Sequence, residues 1–231
     1  DDVRAQYEAL PYPARDPRDE AIRLITGTPS HILEINHYLF AGRLNFVGPS
    51  PALVAGGGAV AMTVNNAVSN SSGAPLTLTL GGINQNSIIN GVISNGTGTL
   101  NIVKTDAGIW TLANAGNSYT GTTSVNQGTL RLTSAAVLNP ANVTVANGAT
   151  LSLRVGGAGF TAAEVDSYRS TVTFSAVGSF LGLDTANGNF TYSSNISGNI
   201  SLNKLGANTL TLDGTNTYTG GTTLSAGILR V

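Results

Sequence analysis

GTLNIVKTDAGIWTLANAGNSYTGTTSVNQGTLRL, residues 98–132, returns near the other end of the chain as GNISLNKLGANTLTLDGTNTYTGGTTLSAGILRV, residues 198–231. One extra residue before Tyr119 is the adjustment that aligns them. Lys104 then meets Lys204, Leu112 meets Leu212, and Tyr119 with Gly121 meets Tyr218 with Gly220. Gly128 and Leu130 likewise meet Gly227 and Leu229, and Arg131 meets Arg230. Similar phrases, Val92–Gly96 and Asn195–Gly198, lead each copy, so the repeats run 92–132 and 195–231. A unit of three short strands cannot cover its own apolar face. It gains by stacking on a neighbour and burying aligned Leu, Val and Ile in a shared column. The repeat therefore predicts an all-β chain, a right-handed parallel β-solenoid.

The rhythm extends beyond the two copies. Leu76-Thr77-Leu78-Thr79-Leu80, Val143-Thr144-Val145 and Leu151-Ser152-Leu153 alternate at period 2, as half-buried strands do. Gly81-Gly82, Asn147-Gly148 and Gly156-Gly157 stand between strands and suit tight turns. Asn residues at matched turns are read first as residues that tolerate the left-handed conformation, with side-chain ladders as the alternative. The solenoid is expected over 60–231.

Charge divides the chain. Residues 1–43 carry seven acids and five arginines, more than half of the 23 charged residues, and both histidines. From Leu44 to Val103 there is no Asp, Glu, Lys or Arg. The boundary implies a head over 1–43, a Gly- and Pro-containing linker over 44–59, and the solenoid beyond. In the head, Asp16 or Asp19 suits the cap of a short helix, and Pro29-Ser30 opens a second one that Gly42 stops. That predicts a small helical N-terminal cap, too small to fold well alone and placed to cover the first turn of the solenoid.

A net charge of −1 offers no basic field for nucleic acid or an anionic membrane surface. Cysteine is absent, which removes disulfides and thiolate metal sites. No apolar run approaches the ~18 residues of a membrane-spanning helix, and the opening DDVRAQYEAL lacks the features of a signal peptide.

The two copies resemble the autotransporter-associated β-strand repeat of bacterial passenger domains, whose pattern is approximately G-L-x-K-x-G-x-G-x-L-x-L-x-G-x-N-x-Y-x-G-x-T-x-V-x-x-G-x-L. Asp106, where a Gly is usual, and Trp110, where an aliphatic residue is common, are the departures of the first copy. The resemblance implies a secreted or surface-displayed module of a bacterial outer membrane system that scaffolds adhesion. It also implies contact with a host surface, glycan or matrix, and further repeats or a C-terminal translocator beyond Val231. Residues 1–58 resemble the beginning of a bacterial S-adenosylmethionine-dependent methyltransferase. That second resemblance implies that PALVAGGG is the first strand and glycine turn of a Rossmann-like sheet, with Gly56, Gly57 and Gly58 as weak candidates for cofactor contact. No ribose-binding acid follows before Asp106, and no helices alternate with strands after Gly58. A methyltransferase-derived chain is therefore the alternative, and a non-catalytic structural or adhesive module without cofactor is the main reading.

Candidate chemistry is sparse. His31 and His37 are six residues apart and do not share a helical face, and Glu34 between them reads as a surface or capping residue, so no metal site is expected. The later acids are Asp106, Glu164, Asp166, Asp184 and Asp213. Glu164 and Asp166 form the sole close pair, and they read as part of a loop or short helix interrupting the rungs rather than a catalytic dyad. Lys104, Lys204, Arg131 and Arg230 read as solvated residues that discourage edge pairing, with basic spots for acidic glycans as the alternative. The chain is also expected to stop with its last rung uncovered.

Overall fold

The computed structural model describes residues 52–57, 61–175 and 178–231. The expected helical cap, residues 1–43, lies outside them, as do His31, Glu34, His37 and Gly58. Among the described residues the chain is mostly β, with nineteen strands and one α-helix, and every strand pairing is parallel.

Six strands form one sheet, in the order β1 (Ala52–Gly57), β4 (Leu76–Gly82), β7 (Leu100–Lys104), β9 (Thr123–Val125), β11 (Val143–Val145) and β13 (Thr173–Phe174). An eight-stranded sheet orders β2 (Thr63–Val64), β5 (Ser87–Ile89), β8 (Ile109–Leu112), β10 (Thr129–Leu132), β12 (Thr150–Arg154), β14 (Phe180–Asp184), β16 (Ser201–Leu205) and β18 (Thr222–Leu224). Two smaller sheets hold β3 (Val68–Asn70) with β6 (Ile93–Gly96), and β15 (Phe190–Tyr192) with β17 (Thr209–Leu212) and β19 (Ile228–Arg230). The chain returns to a sheet after roughly 20 to 30 residues, as the pairs Leu76–Leu100, Thr123–Val143 and Thr150–Phe180 show.

Parallel pairing in register turns period-2 alternation into columns. Trp110, Leu130, Leu151, Leu181 and Leu202 stand in one, and Leu112, Leu132, Leu153 and Leu183 in the next, each 1% exposed or less. Burying one such aliphatic side chain stabilises by about 1.5–3 kcal/mol, and these columns join Leu78, Leu80, Ile102, Val125 and Val145 of the six-stranded sheet in one core.

Two sequence expectations are corrected here. The segment 44–59 was expected as a linker, but Ala52–Gly57 is a strand that pairs with β4, Gly56 opposite Gly81 and Gly57 opposite Gly82. An apolar extended segment beside an otherwise open sheet edge is taken up by that edge. Gly56 and Gly57 thus belong to the stack of parallel passes rather than to a turn entering a helix, and a helix-interleaved sheet does not occur among the described residues. The Asn residues do not serve as left-handed turn positions either. Asp106, at φ 58°, is the single non-glycine residue with positive φ among the described residues. Asn side chains instead bridge successive passes: Asn90 Nδ2 donates to Asn65 Oδ1 at 2.8 Å, and Asn101 Oδ1 and Asn195 Oδ1 accept from the amides of Thr122 and Thr215.

The longest detour between passes contains the helix α1 (Ala162–Thr171), so of the two readings for Glu164 and Asp166, loop or short helix, the structure has the helix. Thr161 starts it with a capping box: its hydroxyl accepts from the Glu164 amide at 3.3 Å, and Glu164 Oε2 accepts from the Thr161 amide at 2.8 Å. Phe160 packs edge-on against Tyr168 with ring centroids 5.0 Å apart, and the Tyr168 hydroxyl reaches the carbonyls of Ala135 and Leu138 at 2.7 Å each.

Candidate functional site

The repeat signature is where sequence and structure meet, and its lysines are its chemically distinctive members. Lys104 ends β7 in phase with Leu100 and Ile102, and in register between Leu80 and Val125, so the alternation carries it into the core. Both Lys104 and Lys204 are fully buried. Lys104 Nζ donates to the carbonyls of Thr105, Asp106 (2.7 Å) and Gln127 (3.2 Å). Lys204 Nζ donates to Leu205 (2.7 Å), Gly206 (2.7 Å) and Ala226 (2.9 Å). Each ammonium thus fills a cage of three backbone carbonyls, two from the residues that directly follow it and one from the turn of the next pass.

This overturns the expectation of solvated basic spots stacked on one flank. Besides being buried, the two lysines lie in different sheets, β7 in the six-stranded and β16 in the eight-stranded one. Burial pushes the Lys104 ammonium down to about 8, against the opposing pull of the Asp106 carboxylate. Burial lowers Lys204 as well, against the pull of Asp184. A buried charge needs this many acceptors to be tolerated.

The other signature positions are structural in the same sense. Leu112, Leu130 and Leu212 are buried, and Leu229 is partly so. The Tyr119 hydroxyl bonds the Thr123 hydroxyl at 2.9 Å, and Tyr218 bonds Thr222 in the same way. Gly128, at φ 65°, follows the Gln127 carbonyl that Lys104 holds; a Cβ there would sit 2.3 Å from the Asp106 carbonyl oxygen. Gly227 repeats the conformation at φ 72°. Gly121 and Gly220 pass equally close to backbone, with a Cβ falling 2.2 Å from the Leu100 oxygen and 2.4 Å from the Ile200 oxygen.

Glu164 and Asp166, neighbours in sequence, take separate structural partners. Glu164 serves the helix cap, while Asp166 accepts from the Tyr192 hydroxyl at 2.5 Å and the Ser194 hydroxyl at 2.7 Å. Asp184 is buried beside Arg131, a placement that sequence spacing does not reveal because the two meet across β12. Arg230 is exposed on β19.

At the far side of the stack, β18 and β19 are edge strands. Leu224 is 53% and Ile228 52% exposed, whereas Val125, the counterpart of Leu224 in the first copy, is fully covered by the next pass. Among the described residues these two side chains are thus apolar groups exposed on edge strands.

Comparison with known proteins agrees with the signature. The family model of the passenger-associated-transport-repeat matches residues 102–132 and 202–231. The adhesin BmaC autotransporter of Brucella suis biovar 1 (strain 1330) is 39% identical over 147 residues, a match that takes in 55% of this chain. The chain spans 4% of that relative's length. No solved structure matches. These matches lend no support to the methyltransferase resemblance of residues 1–58. Two segments of the chain, those that cage Lys104 and Lys204, thus match the passenger-associated-transport repeat.

Proposed function

We propose that this chain is a structural and adhesive module of a bacterial autotransporter passenger, displayed on the cell surface or secreted, and that it works by shape without catalysis. The observation that carries the reading is the coincidence of the two passenger-repeat matches with strands stacked in parallel register. The same register supports a right-handed parallel β-solenoid, the hand that crossovers between parallel strands adopt almost without exception. In such a rod each pass is stabilised by its neighbours. The similarity to an adhesin supports contact with a host surface, glycan or matrix. The open edge at β18 and β19 is suited to further repeats ahead of a translocator, and the head, residues 1–43, to covering the opposite end.

Display tests it. The chain is fused between a signal peptide and an autotransporter translocator in a non-adherent bacterium, and intact cells are assayed for protease-sensitive chain and for attachment to host matrix. The reading expects surface-exposed chain and attachment above the translocator alone. Retention inside the cell, or display without any attachment, contradicts it.

A further inference from the structure

Four buried side-chain polar atoms among the described residues lack a hydrogen-bond partner: Arg131 Nε, Ser152 Oγ, Arg154 Nε and Arg169 Nε. Three of them share one patch. Arg131 on β10 is in register with Ser152 on β12. Arg154 follows Ser152 by two residues and so shares its face of the strand, and it stands in register with Asp184 on β14. This is the face opposite the core columns of Leu151 and Leu153. Native structures leave few buried polar atoms unpaired, and a cluster of them indicates a missing partner.

The charges at the patch do not balance. Asp184 Oδ2 lies 2.8 Å from Arg131 Nε, an ion pair without hydrogen-bond alignment, and 4.0 Å from Arg154 Nε. Its Oδ1 accepts from the Ala186 amide at 3.0 Å. On this face of the sheet one carboxylate thus meets two guanidinium groups and leaves one positive charge over, the Lys204 ammonium lying on the core side in register with Leu183. Burial lowers the pKa of Arg131; Asp184 opposes this and the charge of Arg154 adds to it. Neither guanidinium donates a hydrogen bond within the described residues, although each carries a fork of N–H donors shaped for an oxyanion. Both remain reachable, with side chains 15% and 26% exposed.

We propose that Arg131 and Arg154 form an oxyanion site that takes a carboxylate or sulfate group of an acidic polysaccharide. The proposal rests on the adhesive reading and gives its ligand a chemical class. The cross-strand row through Arg131 runs Thr111, Arg131, Ser152, Gly182, Asn203, Thr223. Thr111 and Ser152 beside Arg131 are buried, and the polar side chains of this row that reach the surface are Asn203, partly exposed, and Thr223, exposed. A single surplus charge on a chain of net charge −1 matches one acidic group on a sugar and not the dense field of a membrane or nucleic acid.

The test is calorimetry on the full chain with a short heparin oligosaccharide, beside a desulfated, carboxyl-reduced sample of the same oligosaccharide, inorganic sulfate and phosphatidylserine vesicles. Salt-sensitive binding of heparin alone is expected, weakened at least about ten-fold by Arg154→Gln, which leaves the Arg131–Asp184 pair intact, and unchanged by Arg230→Gln. Absence of heparin binding overturns the site, as does equal binding by Arg154→Gln. Arginine-dependent binding of vesicles but not of heparin, or of inorganic sulfate as tightly as the oligosaccharide, overturns the polysaccharide. Oligosaccharide binding by a chain that confers no attachment on cells removes the adhesive reading and leaves the site standing, whereas attachment without heparin binding removes the site alone.

Discussion

Lys204 Nζ donates to the carbonyl oxygen of Ala226 at 2.9 Å, so a side chain on β16 holds the turn between β18 and β19 in the following pass. Lys104 holds Gln127, between β9 and β10, in the corresponding way at 3.2 Å. The repeat thus carries its own clamp between passes, hidden from solvent.

Lys104→Met tests the clamp. The variant keeps the aliphatic stem but leaves the carbonyls of Thr105, Asp106 and Gln127 without this donor. A loss of about 3 kcal/mol in unfolding free energy is expected from urea titration. A loss below about 0.5 kcal/mol would mean that water replaces the ammonium without cost.

The clamp also titrates. Lys104 is pushed down to about 8 in the folded chain from an ordinary value of 10.5, so between these values the unfolded chain holds a proton that the folded chain has released. Stability therefore rises with pH through that window, and the gain is absent below it. Burial raises Tyr119 to about 12, despite its bond to Thr123, and acts in the opposite sense above about pH 10. Urea midpoints measured from pH 7.5 to 9.5 are expected to climb in the parent chain and to climb less in Lys104→Met.

Equivalent positions in the two repeats are expected to respond unequally. Val125 is fully covered and Leu224 is 53% exposed. Val125→Ala is expected to cost about 2 kcal/mol and Leu224→Ala less than about 0.5 kcal/mol. Leu224→Lys is expected to reduce self-association in sedimentation, since a charge on an edge strand discourages pairing.

Asp166 fastens α1 to the segment around β15. Burial works to raise its pKa but is outweighed by the bonds from Ser194 and Tyr192 and by the charge of Arg169, and the net shift is downward. Its contribution is therefore present above the ordinary carboxylate value and is lost as pH falls through the lowered one. Asp166→Asn is expected to speed amide exchange in α1 while leaving β10 and β12 protected. Uniform acceleration across the sheets would show that the helix and the stack open as one unit.

Much of the fold was legible in identical side chains recurring in order. Leu112 and Leu212, Tyr119 and Tyr218, Gly128 and Gly227 recur at matching places of the repeat, whereas the Thr161–Glu164 capping box that starts α1 went unread although its spacing was in the sequence. The lysines were misread by residue type although their phase was available: Lys104 alternates with Leu100 and Ile102, and Lys204 with Leu202, all on the buried side. The placement of the repeats in different sheets was not legible. It depends on passes of unequal length between them, with α1 and β15 inserted, and no local pattern records that count. The pairing of Asp184 with Arg131 was hidden for the same reason.

The parallel register of successive passes is tested most directly by cysteine pairs, which a chain without native cysteine reports cleanly. Ser124 and Thr144 are register partners on β9 and β11, with hydroxyls 3.4 Å apart, a spacing at which Cα atoms of adjacent strands lie within disulfide reach. The Ser124→Cys/Thr144→Cys chain is predicted to oxidise to an intramolecular disulfide, and Ser124→Cys/Thr191→Cys, whose second site is in another sheet, is predicted to stay reduced. Oxidation of the second pair but not the first would contradict the stacked register on which the whole account depends.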